Sequence, residues 1–101
     1  MTNEELAKKM NSVGEAVFVE YFYDFRSYQK GVISKDECVE ILVSNQVSND
    51  SGAVIRCNYA KEIFEGNMES HAIGMICSKW GKTRLSADTI NAAMHILQKC
   101  P

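Results

Sequence analysis

Asp50-Ser-Gly-Ala-Val-Ile-Arg-Cys-Asn-Tyr-Ala-Lys-Glu-Ile-Phe-Glu65 decides the fold class, because it can be read with two periods. Ala53, Ile55, Cys57 and Tyr59 alternate as a strand would, while Ala53, Cys57, Ala60, Ile63 and Phe64 recur along one face of a helix. A strand alone leaves its backbone donors and acceptors open, and no other segment offers it a partner. The expected state over about Asp50 to Glu65 is therefore helix. The polar runs Ser44-Asn-Gln46 and Ser48-Asn-Asp-Ser51 supply the connection before it and its N-cap.

Moving outward, helix signals cover the rest of the chain. Ser34, with Glu37 three residues on, forms a capping box that opens a helix turning Cys38, Val39, Leu42 and Val43 inward. Gly31, Gly66 and Gly81 each follow a helix-compatible stretch, where a left-handed residue would stop it. Downstream, Asn67 caps a helix over Met68 to Trp80 that buries Ala72, Ile73, Ile76 and Cys77, with Gly74 allowing a close helix approach. A last helix starts at Ser86 with Asp88 near its positive end, and its stripe reads Ile90, Ala93, Met94 and Leu97.

Upstream, one long helix is expected from about Asn3 to Gln29. Its core arc is Leu6, Met10, Val13, Val17, Phe18, Tyr21, Phe22, Phe25 and Tyr28. Ala16, Val19 and Tyr23 form a second patch opposite, which other helices or a second subunit must cover. Gly14 marks a bend or a close crossing. With proline only at position 101, nothing interior forbids helix. The expectation is an all-α single domain over residues 1–101: a compact bundle or orthogonal array of about five helices with a long first one.

Composition agrees with one packed core. Of 101 residues, 46% are apolar and 24% charged, which is ordinary for a globular chain and excludes collagen-like and disordered classes. The net charge of −2 hides an asymmetry. Residues 1–50 carry 5 basic against 9 acidic side chains, and residues 51–101 carry 6 against 4. That split suits complementarity between two copies better than attraction to a polyanion. No apolar run approaches the roughly 20 residues of a membrane-spanning helix, and the opening Met1-Thr-Asn-Glu-Glu5 is polar, so a cytosolic location is expected. There the four cysteines, Cys38, Cys57, Cys77 and Cys100, are reduced and core-filling.

Motifs that carry chemistry are scarce. Gly74 to Gly81-Lys82-Thr83 has six residues between its glycines where a phosphate-binding loop has four, and no strand precedes it. His71 with Cys77, and His95 with Cys100, lack the short paired spacings of a zinc site, so no metal and no cofactor is expected. A small enzyme would need Cys57 or Cys77 to meet His71 or His95 through the fold. A helix-turn-helix reading draws on Ile33-Ser-x-x-Glu37, Val47-Ser48 and Arg56. It would place Arg56, Asn58 and Lys61 on nucleic acid, but the connection is long and Glu62 and Glu65 share that helix. Lys79, Trp80, Lys82 and Arg84 form a basic, partly aromatic patch suited to an anion or a partner.

Tyr21-Phe-x-x-Phe25, Ser34-Lys-Asp-Glu37 and Arg56-x-x-x-Ala60-Lys-x-Ile-Phe64 resemble blocks of uncharacterised short helical proteins carried in bacterial mobile arrays such as integron gene cassettes. The resemblance spans about half the chain. It implies a bacterial cytosolic protein, assigns no activity and transfers no functional residue. The reading that best fits the residues is a non-enzymatic helical interaction module, self-associating as a homodimer through Ala16, Val19, Tyr23 and Trp80. A nucleic-acid regulator comes second and a small Cys/His enzyme third.

Overall fold

The structure, a computed structural model, describes residues 2–78 and 86–99. Among the described residues there are seven helices and no strand. They are α1 (Asn3–Val13), α2 (Glu15–Glu20), α3 (Phe22–Gln29), α4 (Lys35–Ser44), α5 (Asp50–Glu65), α6 (Glu69–Ser78) and α7 (Ala87–Lys99). The doubly periodic stretch is helix throughout. Its N-cap is Asn49, whose side-chain oxygen accepts from the Gly52 N–H at 2.9 Å.

The expected long first helix is instead three. Gly14 takes φ 92° and ψ 125°, a conformation that only glycine adopts without strain, and the chain turns there between α1 and α2. A Cβ at this position would stand 2.9 Å from Arg56 Nη1. That guanidinium donates to the carbonyl of Val13, the last residue of α1. α1 has no basic residue in its own last turn, so α5 supplies the cation that its negative end lacks. The second break, at Tyr21, is milder: its N–H still reaches the Val17 carbonyl at 3.0 Å, and its carbonyl accepts from Phe25 at 2.9 Å.

Three helix ends follow one design, and only the first uses the glycine expected there. After α3, Gly31 is left-handed at φ 78°, with Gly31 N–H on the Tyr28 carbonyl and Val32 N–H on that of Ser27. The same pair of bonds closes α4, where Gln46 carries the left-handed turn at φ 59°. It closes α5 as well, but there Gly66 has φ −82° and Asn67, at φ 56°, is the left-handed residue. Asn67 therefore ends one helix and does not cap the next, which starts at Glu69. Gly81 lies outside the described residues. Ser34 and Ser86 cap α4 and α7, their hydroxyls accepting from Glu37 N–H at 3.1 Å and Thr89 N–H at 3.2 Å, and of the expected capping box this Ser34 half is the part that forms.

The core sits around α5, which packs on α1, α3 and α4, while α6 pairs with α7 and α7 crosses α2. Phe18 is its centre. Its ring meets those of Phe22 at 5.7 Å, Phe25 at 6.2 Å and Phe64 at 5.8 Å, tying α2, α3 and α5 together. The radius of gyration, 12.7 Å, matches the ~13 Å of a folded chain this long. One stripe is corrected: α7 buries Ile90, Ala93 and Ile96, whereas Met94 and Leu97 are exposed. The i, i+3, i+6 face meets α2 and α6, which turns the i+4 and i+7 positions toward the edge.

Candidate functional site: an aromatic groove with a mixed-charge rim

The second apolar patch of the amino-terminal segment is treated unequally by the fold. Val19 is buried, and it borders a shallow hollow with Ala16, Thr89 and Ala92, so α7 of the same chain covers it. Ala16 is exposed at the edge of that hollow. Tyr23 is 48% exposed and receives no such cover. Trp80, Lys79, Lys82 and Arg84 lie outside the described residues.

Tyr23 forms one wall of a groove of about 430 Å³ where α3, the α5–α6 turn and the end of α7 converge. Phe22, Phe64 and Ile96 line its apolar floor, all three buried in the core on their other sides. The Tyr23 ring stands perpendicular to Phe22, with centroids 5.3 Å apart, and Phe22 rests on Phe64 at 5.1 Å. A ring held this way loses little freedom on docking, which is why tyrosine is favoured at interface centres. Around the floor stand Arg26 of α3 and Lys30 just past its end, Lys99 of α7, Glu65 of α5 and Glu69 of α6. Glu69 Oε2 is shut off from solvent and has no hydrogen-bond partner among the described residues, an unmade bond that costs about 1 to 3 kcal/mol.

The residues suited to nucleic acid are largely engaged elsewhere. Arg56 is spent on the Val13 carbonyl, and Lys61 pairs with Glu65 at 3.8 Å and lies over the Tyr28 ring at 5.1 Å. Glu62 of the same helix binds Lys9 at 3.0 Å. Asn58 is exposed between them. These bonds hold α5 to α1 and α3, and they leave no row of free cations on this face among the described residues.

The thiols and imidazoles are kept apart in character. His71 and His95 are exposed, and Cys57 is wholly enclosed with its sulfur 3.1 Å from that of Cys38. Among the described residues no group of three or more metal-ligating side chains converges. No helix among them is long and apolar enough to cross a membrane.

Sequence reasoning pointed to Tyr23 and missed the rest of this groove. Arg26, Glu65, Glu69 and Lys99 belong to four helices, and nothing in their spacing announces that those helix ends meet. Comparison with protein-family models, curated proteins and solved structures finds no match for this chain.

Proposed function

We propose that this chain is a non-enzymatic helical interaction module that self-associates, two copies meeting through the groove at Tyr23. The observation that carries the reading is the rim. Arg26, Lys30 and Lys99 share the rim of an apolar floor with Glu65 and Glu69, and a patch bearing both signs can complement itself across a two-fold axis. In such a pairing Tyr23 of one protomer enters the groove of its partner. The half-exposed Tyr23 ring of each copy then leaves water at about 25 cal/mol per Å² before association costs. The likeness to integron-cassette proteins adds a bacterial, cytosolic setting to this proposal and no chemistry.

Sedimentation equilibrium tests it. The wild-type chain is expected to dimerise, Tyr23→Glu to sediment as a monomer with unchanged helical circular dichroism, and Arg26→Glu to weaken the dimer. A wild-type chain that stays monomeric at every concentration, or a Tyr23→Glu variant that dimerises as well as wild type, overturns the reading. Retention on duplex DNA that falls steeply with salt would instead favour the regulator.

A further inference from the structure

Two sulfurs meet where α4 crosses α5. Cys38 and Cys57 are 1% and 0% exposed, their Sγ atoms are 3.1 Å apart, and neither is in a disulfide. A disulfide bond is ~2.05 Å long, so about 1 Å of closure separates contact from bond. The pair is also electrostatically unequal. Cys57 is lowered from the usual thiol range because its thiolate accepts a hydrogen bond from Cys38 and faces Lys35, which together outweigh its burial, whereas Cys38 is raised because ionising it gives up that hydrogen bond, buries a charge and sets it beside Cys57 and near Asp24. One sulfur is thus set to attack and the other to follow.

Access comes from α4 itself. It is anchored chiefly by α5 and α3, and only Cys38 and Leu42 of its ten residues are fully buried. Such a helix opens locally at less cost than unfolding the core, and opening it uncovers both thiols at once.

We propose that Cys38 and Cys57 form a redox clasp, a thiol pair that a peroxide converts to a disulfide fastening α4 to α5. The Cys57 thiolate attacks one peroxide oxygen and breaks the O–O bond, giving a sulfenic acid and, after protonation, one water or alcohol. Cys38 sulfur then attacks the sulfenyl sulfur, forming S–S and releasing hydroxide, which takes up the Cys38 proton as a second water. The two thiols lose two electrons and two protons, and the peroxide takes up both.

Hydrogen peroxide added to the full-length reduced chain tests the clasp, with thiol blocking, peptide mapping and hydrogen exchange as readouts. The expected product is a single chain lighter by about 2 Da, with Cys38 and Cys57 in one cross-linked peptide pair, Cys77 and Cys100 still alkylatable, and amide exchange in residues 35–44 slowed about tenfold. Cys38→Ser, which keeps a hydrogen-bond donor, should leave Cys57 as a sulfenic acid that a dimedone-type probe captures; should that variant fail to fold, the peptide map of the wild-type chain decides alone. Cysteines 38 and 57 that remain reduced, oxidise singly to sulfinic acids or cross-link between molecules overturn the clasp, as does a cross-link that leaves exchange across α4 unchanged.

Discussion

Val19 and Tyr23 belong to one apolar patch of the amino-terminal segment, yet one is 4% and the other 48% exposed. α7 makes the difference. Its residues Thr89 and Ala92 border the hollow beside Val19, and by Ile96 and Lys99 the helix lines the groove from the far side, leaving Tyr23 open. Apolar periodicity says which side chains want cover. It does not say whether the same chain or a second one supplies it, because the distance between helices seldom matches the spacing of residues along either.

The sharpest way to break the comparison is to put the same charge at both positions. Val19→Asp buries an unpaired carboxylate against α7 and should cost about 4 kcal/mol in urea unfolding, whereas Tyr23→Asp should change stability by no more than about 0.5 kcal/mol and abolish self-association. Equal losses from the two variants would show that Tyr23 is as much a part of the core as Val19.

The next effect concerns the junction that joins α1 to α2, the helix carrying Val19. Gly14→Ala forces a side chain into a left-handed backbone and against Arg56 Nη1, and about 2 kcal/mol should be lost. Arg56→Ala removes the donor from the Val13 carbonyl and should cost about 1 to 2 kcal/mol. The two losses should fall short of additive by calorimetry, since both act on one junction.

Base should reveal the burial of Tyr21 on this segment directly. Burial pushes the phenols of Tyr21 and Tyr28 above their ordinary 10.0, so the folded chain keeps protons that the unfolded chain gives up. Fewer protons on the unfolded state means stability falls as pH rises through about 10, and the Tyr21→Phe, Tyr28→Phe double variant should show a shallower decline in urea midpoints over that range. The smallest effect belongs to Gln46. It holds a left-handed turn at φ 59° where glycine would be unstrained, and Gln46→Gly should gain about 0.5 kcal/mol in the same assay, leaving the contrast between Val19 and Tyr23 untouched.

Much of the helical layout was legible in the residues. Asp50 to Glu65 matches α5 end for end, because a strand there had nothing to pair with and Asn49 could cap a helix. Gly31 stops α3 as its position implies, whereas at the end of α5 the turn passes one residue further, to Asn67, a residue whose short amide tolerates the left-handed region almost as well. The long first helix was misjudged. Its stripe runs without a gap from Leu6 to Tyr28, since a kink at Gly14 preserves which residues need burial while changing the direction they face.

The candidate site was legible only as Tyr23, an aromatic on the wrong side of its helix. The sulfur pair was not legible at all: a separation of 19 residues across two helices carries no motif, and each cysteine alone reads as a small apolar filler. The sequence by itself determined which backbone would coil and which faces shunned water, because capping, left-handed turns and periodicity are local. Only the tertiary structure decided that Arg56 would complete the end of α1, that two thiols would touch, and that Tyr23 would be left facing solvent. Those are meetings between distant segments, set by how the helices fill space together.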